Sequence, residues 1–370
     1  MTPVVVAGGG PAGAAAACLL ARAGVKVTVL ERDAGPRHKV CGEFLSREAL
    51  LYLGGLGVDA AALGASEIGA LRLVNGRQVV ETALPFRAAG LSRLAMDAAL
   101  LARAEALGAE LRRGAHVRAA GPEGLDVDGA WLAAPTLLLA TGKHDLRGTP
   151  RLPAREPEAL IGFKAHFALA PAQRAAVAGH VEVVLFRDGY AGLQLVEGGL
   201  ANLCLLVARP RFDAAGQDWG ALLEGIARGC PHLARRLAGA TMLQDRPLSI
   251  FRVPYGYVHA GAEALPGAFR LGDQAAVIPS FCGDGMSIAL HSAHLAARAV
   301  LRGEGAAAYH AAMRRDVGRP VRLAMGLYRL GRTQAARRAI LAACGAWPGL
   351  MRAAAARTRV PEAALALGWG

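Results

Sequence analysis

The sequence predicts an α/β protein: a doubly wound domain that carries an inserted antiparallel sheet and ends in a helical segment. Three observations support this prediction. A valine-rich run is followed by a glycine-rich turn, an alanine-rich helix and a second valine-rich run, all within residues 3–31. Apolar runs separated by glycine turns fill residues 162–207. Residues 306–366 are rich in alanine and other helix-forming residues.

Length and composition describe a folded protein of about two domains. The chain has 370 residues, of which 54% are hydrophobic and 19% charged, and this composition excludes disorder for most of its length. There are 42 basic and 29 acidic residues, a net charge of +13. The excess is mostly arginine, spread along the chain without a basic block, so we expect no nucleic-acid partner. The charge suits an anionic cofactor, an acyl carrier or coenzyme A thioester, or an anionic membrane surface.

The cysteines indicate a reducing compartment. None of the six belongs to a CxxC pair, and a chain of this length needs no disulfide staples. We therefore expect a cytoplasmic protein. The uncharged run Met1–Ala21 contains the glycine-rich turn and has no basic residue at its start, so neither a signal peptide nor a membrane helix is expected there.

The glycine-rich turn has the spacing of a dinucleotide-binding motif. Gly8 permits a sharp turn after the first strand, Gly10 lets a diphosphate approach the backbone, and Gly13 lets the following helix lie close to the strand. The N–H groups that begin this helix face the phosphates. Glu31 ends the second strand, where a ribose-binding acid is needed. These residues leave NAD and FAD open. The expected phosphate contacts are Gly8, Gly10, Pro11, Ala12 and Gly13.

Four segments together resemble one family. Residues 3–42 resemble the FAD-dependent family that joins geranylgeranyl reductases to aromatic-ring hydroxylases of the p-hydroxybenzoate hydroxylase fold, in which arginine often follows the strand-ending glutamate, as in Glu31-Arg32. Residues 92–97 (SRLAMD), 137–142 (LLLATG) and 271–286 (LGDQAAVIPSFCGDGM) are similar to its other FAD-binding segments. The resemblance covers roughly residues 1–300.

The resemblance implies FAD as the cofactor and indicates its contacts. Asp273 is expected to accept hydrogen bonds from ribityl hydroxyls, and Arg93 to reach the phosphates. Gly283 and Gly285 let the backbone approach a flat ring at the start of a helix, whose positive end would face the flavin. The remaining expected contacts are Arg32, Cys41, Gly42, Thr141, Gly142, Gly272, Pro279, Asp284 and Met286.

The expected FAD domain is Rossmann-like and discontinuous in sequence. Asn75-Gly76 marks a tight hairpin in the inserted sheet, and the resemblance implies that this sheet covers the flavin ring and lines the substrate cavity. The C-terminal segment is basic and is expected to be interrupted at Pro320, Pro348 and Pro361. The predicted parts are 1–67, 88–158 and 255–305 for the FAD domain, 68–87 and 159–254 for the sheet, and 306–370 for the C-terminal segment.

Cys41 is the candidate catalytic residue. Its Lys-x-Cys-Gly core is similar to the segment beside the flavin in geranylgeranyl reductases, and three roles stay open for the thiol: proton donation, tuning of the flavin, or packing. His291 and His294 share a helix face, but no third ligand is spaced to join them, so no metal site is expected. His144, His166 and Tyr190 are candidate acids or substrate contacts, although a single histidine in a strand or loop is more often structural.

The sequence favours a flavin monooxygenase that acts on a hydrophobic substrate: a lipid, polyketide or isoprenoid, free or linked to a carrier protein or coenzyme A. NAD(P)H is the expected electron donor, and a partner flavin reductase is the other route. Two alternatives stay open, a C=C reductase like geranylgeranyl reductase and an FAD-binding carrier without turnover. Contact between the basic C-terminal segment and a membrane surface also stays open.

Three departures from the family bear on the reaction. Thr141-Gly142 stands where ring hydroxylases commonly carry Asp-Gly, which puts direct reduction by NADPH in doubt. The Trp-x-Trp-x-Ile-Pro segment of flavin halogenases is missing. Residues 251–257 only partly resemble the aromatic segment of the reductases and lack its tryptophan.

Overall fold

The structure is a computed structural model that describes residues 2–151, 160–261, 265 and 267–365. The predicted boundary at 158/159 and the last five residues of the predicted C-terminal segment lie outside these ranges.

Strands dominate the first two thirds of the chain and helices the last third. The strands are β1 (Val4–Ala7), β2 (Val27–Glu31), β3 (Phe44–Leu45), β4 (Ser66–Asn75), β5 (Gln78–Gly90), β6 (Glu110–Arg113), β7 (Val117–Gly121), β8 (Gly124–Val127), β9 (Ala130–Leu132), β10 (Thr136–Leu139), β11 (Leu160–Ala168), β12 (Gly179–Phe186), β13 (Gly189–Leu195), β14 (Ala201–Ala208), β15 (Thr241–Met242), β16 (Leu248–Phe251) and β17 (Phe269–Arg270). The α-helices are α1 (Pro11–Arg22), α2 (Arg47–Gly55), α3 (Arg93–Ala106), α4 (Pro171–Val177), α5 (Arg209–Ala214), α6 (Trp219–Gly229), α7 (Pro231–Leu237), α8 (Gly285–Leu301), α9 (Ala306–Leu330), α10 (Gln334–Ala346) and α11 (Gly349–Arg357).

A parallel sheet positions the nucleotide turn. Its strand order is β17-β10-β1-β2-β6, so the chain proceeds outward from β1 in one direction and then in the other. Helices α1, α3 and α8 pack together on one face, while the small sheet β7-β8-β9 covers the other, which explains why the strands are apolar on both sides. The predicted doubly wound fold is confirmed. Its switch point lies where the carboxyl ends of β1 and β10 meet, the usual ligand position in such sheets.

A larger sheet forms the second layer, and the predicted hairpin at Asn75-Gly76 joins two of its strands. The order is β15-β11-β14-β13-β12-β4-β5-β3, and β16 pairs with β11. The pairs are antiparallel except for β12 with β4. One face packs on α5, α6 and α7 through apolar side chains such as Phe163 and Leu203. The opposite face turns towards the nucleotide domain and carries Lys164 and His166.

The C-terminal segment is helical, as predicted, but one predicted break is wrong. Helix α9 continues through Pro320, which is buried with Val317 and Val321 on the side that packs on α8. This packing offsets the hydrogen bond that a proline removes from a helix interior. Within the described ranges, no single helix is long and apolar enough to cross a membrane. One pair, Gln334–Ala346 with Gly349–Ala364, meets that test together by length and composition alone, with a 109° bend.

Candidate active site

The nucleotide turn requires glycine at two positions because of close backbone contacts. A Cβ on Gly13 would lie 1.9 Å from the Gly8 carbonyl oxygen, and one on Gly8, whose φ is +109°, would lie 2.4 Å from the carbonyl oxygen of Ala140. The first contact holds α1 against β1, and the second holds β1 against the end of β10. The N-terminus of α1 is thereby fixed over the switch point, where its N–H groups can bind an anion.

Glu31 is held at the end of β2 by the backbone around it. Its carboxylate accepts hydrogen bonds from the amide of Gly9 at 2.8 Å and from the amide of Asp33 at 3.0 Å. Lys39 lies 3.7 Å from the same carboxylate. The side chain of Arg32 is 43% exposed and lies 3.8 Å from Asp33. The acid therefore stands beside the turn in the position predicted for ribose binding, with Arg32 at its outer rim.

One cation lies beside the turn and a second is paired with Asp273. The Arg93 guanidinium lies 3.4 Å from the position of a Cβ on Gly10 and forms a two-point ion pair with Asp97, at 2.7 and 2.6 Å. Lys143, which sequence reasoning missed, lies 2.8 Å from the Asp273 carboxylate. Burial acts to lower the pKa of Lys143, but Asp273 outweighs it and raises that pKa. This donor set, two cations and the amino end of a helix, fits a diphosphate.

The two glycine-rich segments meet across the sheet. Gly272, with φ at +58°, places its Cα against Ala12, since an added Cβ would lie 3.2 Å from the Ala12 methyl group. Its amide donates to Ser292 of α8 at 2.8 Å. Gln274 donates to the carbonyl oxygen of Gly142 at 2.8 Å, while the Thr141 hydroxyl donates to the backbone of residue 144. The predicted contacts at 8–13, 141–142 and 272–273 thus lie around one crevice.

Helix α8 begins at Gly285 after a tight turn that starts at Pro279. A Cβ on Gly283, with φ at +68°, would lie 2.6 Å from the Phe44 ring. Met286 is buried in the core. Asp284 differs from the sequence expectation, because its fully buried carboxylate turns away from the crevice into the protein. Its role is structural, and its carboxylate anchors the C-terminal segment.

Arg359 is the other half of that anchor. It lies 3.4 Å from Asp284 and donates to the carbonyl oxygen of Cys282 at 3.1 Å. Its guanidinium stacks 4.1 Å from the centre of the Phe86 ring, and the Val360 amide donates to Asp284 at 3.0 Å. Burial raises the pKa of Asp284 to about 7, against the opposing effect of Arg359. The C-terminal segment therefore shapes the loop that precedes α8.

The loop that carries Cys41 is bonded to three neighbouring strands. Lys164 of β11 donates to the carbonyl oxygen of residue 39 at 3.1 Å. Asn202 of β14 donates to the carbonyl oxygens of residues 41 and 42 at 3.2 and 2.8 Å, and Gln194 of β13 donates to that of residue 43 at 2.7 Å. The Cys41 thiol accepts from the amide of Glu43 at 3.4 Å. It lies within electrostatic range of Arg93, so the structure places it between the sheet and the crevice.

Glu43 joins this loop to both domains, and sequence reasoning missed it. It is fully buried with φ at +57°, a conformation that is uncommon outside glycine. Its carboxylate pairs with Lys164, accepts from His166 Nε2 at 2.7 Å and accepts from the Arg93 amide at 2.8 Å. Burial acts to raise the pKa of Glu43, but these donors hold it below its usual range. The carboxylate is therefore ionised in the folded protein.

His166, one of the acid–base candidates, is held in its neutral form. The Gln244 carbonyl oxygen accepts from the His166 amide at 2.8 Å, which fixes the orientation of the glutamine side chain. Its NH2 group therefore donates to His166 Nδ1 at 3.0 Å. The ring proton must then sit on Nε2 and point at Glu43. His166 is thus a structural donor, as the simpler interpretation of a lone histidine predicts.

His38 completes the cluster. Its ring centre lies 4.6 Å from that of His166, and its Nδ1 is buried without a hydrogen-bond partner among the described residues. Burial and the nearby charge of Lys164 lower the pKa of His38. His38, Glu43 and His166 are close enough to share a cation, but Lys164 already neutralises Glu43 and Gln244 already takes the His166 lone pair. The geometry thus disfavours a metal at this point.

The histidines of α8 are also engaged inside the protein. His291 is bonded through Nδ1 to the Tyr52 hydroxyl at 2.7 Å and through Nε2 to Asp316 at 3.1 Å. His294 donates to the carbonyl oxygen of residue 290 at 2.9 Å. Burial lowers the pKa of His294 to about 4. His291 connects α8 to α2 and α9, and His294 is bonded within α8, so the two are not arranged as a metal-binding pair. His144 lies near Arg32, and burial lowers its pKa.

An apolar cluster of side chains lies between the larger sheet and the loop before α8. Tyr190 belongs to it: its hydroxyl is bonded to that of Tyr255 at 2.8 Å and its ring meets Phe281 edge-on. Tyr255 in turn donates to Ser280 at 2.7 Å. The side chains that surround these aromatic rings are Leu71, Leu73, Leu160, Val183, Leu206, Ile250, Val253, Val277 and Tyr328. We call this group the apolar cluster.

Comparison with known proteins supports an FAD-binding domain in the first third of the chain. The sequence profile of the FAD binding domain family matches residues 1–133. Menaquinone reductase of Mycobacterium tuberculosis, in strains CDC 1551 and H37Rv, is 27% identical over 317 residues, which cover 80% of this chain and 75% of that protein.

Solved structures share the fold. The myxobacterial chondrochloren halogenase CndH, an FAD-dependent halogenase, matches 96% of this chain and 90% of its own with a TM-score of 0.73 and 22% identity. The flavin-dependent halogenase CmlS matches 87% of this chain with a TM-score of 0.71 and 22% identity, and this chain spans 63% of the length of CmlS.

Proposed function

We propose, from the premise that this chain is an FAD-dependent oxidoreductase with the fold of the p-hydroxybenzoate hydroxylase superfamily, that it reduces a C=C bond in a long apolar substrate of the isoprenoid class. When bound, FAD supplies the hydride. The chain's own residues bind its diphosphate through Arg93, Lys143 and the start of α1, and its ribose through Glu31. The apolar cluster around Tyr190 and Tyr255 is the observation that supports the substrate class.

A curated relative supports reduction over oxygen chemistry. Its name describes a quinone reductase, and it matches four-fifths of this chain. The Lys-x-Cys-Gly core around Cys41 is similar to the segment beside the flavin in geranylgeranyl reductases, which favours the same choice.

Monooxygenation is the second candidate. The sequence favours it, and the fold is shared with flavin-dependent halogenases. The electron donor is proposed to be NAD(P)H, with a partner flavin reductase as the other source. These choices can be separated by one series of measurements on the holoprotein.

The experiment starts with anaerobic reduction by NADPH or, in parallel, by dithionite. A short-chain prenylated naphthoquinone is then added without oxygen, and flavin reoxidation is followed by absorbance. After exposure to air, the molecular mass of the product is measured by mass spectrometry. Side-chain reduction leaves a quinone two mass units heavier, because a quinol formed at the ring returns to quinone in air. A product sixteen units heavier that requires oxygen would replace reduction by monooxygenation. A flavin that no substrate reoxidises would support the carrier alternative.

A further inference from the structure

Helix α10 turns an apolar face to solvent. Its buried side, with Leu341 and Cys344, packs on the β4–β5 hairpin, since a Cβ on Gly345 would lie 3.7 Å from Val80. A surface helix ordinarily carries polar residues on its other side. In α10 the exposed positions include one charged residue, Arg338, and four alanines, which are Ala335, Ala339, Ala342 and Ala346. The helix therefore lies flat on the protein with an outward surface suited to an apolar medium.

Large apolar side chains extend this surface at both ends of α10. Trp347 and Leu350 are 68% and 47% exposed in the turn to α11, where the Leu350 amide donates to the carbonyl oxygen of Trp347 at 2.9 Å. Before α10, Leu323 and Leu330 are 38% and 56% exposed and lie seven residues apart on one face of α9. Four of the nine large apolar side chains exposed in the described ranges thus belong to this part of the chain.

The charge around the surface is strongly positive. Residues 306–370 contain eleven arginines, one aspartate and one glutamate. A large part of the chain's net positive charge therefore lies in this segment, whereas an even spread along the chain was expected. Both acids are engaged: Asp316 with His291 and Glu362 with Arg47. Exposed arginines flank the apolar residues at positions 322, 329, 338 and 352. Arginine beside tryptophan and leucine is the composition of helices that lie in a membrane interface.

The end of α9 also adjoins the apolar cluster. Near the end of α9, the Tyr328 ring meets Tyr255 edge-on at 5.7 Å. Met325 packs on Gly256, where an added Cβ would lie 2.9 Å from its side chain. The exposed Leu330 follows two residues after Tyr328. One side of the apolar cluster is therefore covered by the helix whose end carries part of the exposed apolar surface.

We propose that the surface formed by α10, the Trp347–Leu350 turn and the end of α9 docks on an anionic lipid bilayer. The arginines bind lipid phosphates and headgroups, while Trp347, Leu350 and Leu330 enter the interface. Bilayer-held substrate then approaches the protein next to Tyr328 and the apolar cluster. The choice of substrate rests on the proposed function, but the docking itself does not.

Vesicle co-sedimentation of the full-length holoprotein tests the proposal without any substrate. Vesicles of phosphatidylcholine are compared with vesicles containing about 30 mol% phosphatidylglycerol, a composition chosen to give a surface potential. We expect binding to the anionic vesicles that falls at least tenfold in about 0.5 M salt. Trp347→Ala/Leu350→Ala and Arg338→Glu/Arg352→Glu should each weaken binding at least tenfold.

Matched controls come from exposed residues outside the surface. Trp131, on β9, is 55% exposed, and the Arg187 side chain is 83% exposed; Trp131→Ala and Arg187→Glu should bind as the parent protein does. Absence of binding to anionic vesicles, or equal losses in surface and control variants, would overturn the proposal. The proposal would also be overturned if light scattering showed that the parent protein is a dimer and that Trp347→Ala/Leu350→Ala dissociates it. The rate of turnover of a short-chain substrate in solution is also measured for the surface variants, and we expect it to equal that of the parent protein. This measurement distinguishes a failure of docking from a failure of the proposed reaction.

Discussion

Replacement of Gly13 by alanine tests whether the contact between α1 and β1 creates the nucleotide site. The new methyl carbon would lie 1.9 Å from the Gly8 carbonyl oxygen and 3.0 Å from the nearest Val6 methyl carbon. To reach an ordinary contact distance the helix must retreat by at least about 1 Å. Overpacking of this kind costs about 1–3 kcal/mol. A retreat of that size also lengthens every hydrogen bond from the start of α1 to a phosphate.

Gly54→Ala is the matched control. Gly54 also lies within a helix, α2, but a Cβ there has no heavy atom within 4 Å. Both variants gain about 1 kcal/mol in helix propensity, so the difference between them isolates the steric contact. We expect Gly54→Ala to keep its FAD. A hydrogen bond to a charged group contributes about 1.5–3 kcal/mol, so Gly13→Ala should bind FAD at least tenfold more weakly.

The assay is flavin absorbance retained after gel filtration, followed by titration of the apoprotein with FAD. Circular dichroism and urea unfolding of both apoproteins show whether Gly13→Ala is folded when it is measured. Equal FAD affinity in the two variants, with both folded, would refute the steric argument and with it the assignment of this turn as the diphosphate site.

Three further changes test the buried charges. Glu43→Gln leaves Lys164 buried without its counter-ion and should lower the free energy of unfolding by about 3–5 kcal/mol, measured by urea unfolding. Adding Lys164→Met to Glu43→Gln should restore part of the lost stability. A Glu43→Gln protein as stable as the parent would contradict the ionised state assigned to Glu43. Because the pKa of Asp284 is raised in the folded protein, the unfolded chain releases the Asp284 proton at lower pH. The free energy of unfolding should therefore fall by up to about 4 kcal/mol as pH rises from about 4 to about 7. Asp284→Asn should lose this pH dependence, and a variant with the parent's pH profile would contradict the assignment to Asp284. Arg359→Met keeps the apolar contact with Phe86 but removes the ion pair with Asp284, so FAD affinity measured by titration should drop about tenfold. If the ion pair acts through the loop before α8, Arg359→Met should have no further effect on FAD affinity in a protein that already carries Asp284→Asn.

The parts of the candidate site that the structure brings together as the sequence predicted are those with local signals. Gly8, Gly13 and Gly272 stand at fixed spacings within a strand–turn–helix unit, and their function depends on backbone contacts that any such unit makes. The doubly wound order follows from the same units, because parallel strands need helical crossovers. Hairpin residues such as Asn75-Gly76 are similarly local.

The missed residues depend on contacts between distant parts of the chain. Glu43 obtains its role from Lys164 and His166, more than 120 residues away, and only the register of β11 brings them to it. The one available signal is that both side chains alternate with apolar residues in that strand, which indicates a polar site facing one side of the sheet. Asp284 stands between two glycines and looks exposed to a ligand, but its partner Arg359 lies 75 residues later.

The Arg359 anchor has a consequence for biosynthesis. The loop before α8 obtains its ion pair and its stacking contact only when a segment made 75 residues later has been synthesised and packed. At ribosomal speeds of about 5–20 residues per second, that interval lasts roughly 4–15 s. During it the nascent polypeptide has the glycine-rich turn at 8–13 but not the anchored loop before α8. This loop therefore reaches its final packing late in synthesis, and a ribosome that stalls near residue 300 leaves a product in which the loop lacks its anchor.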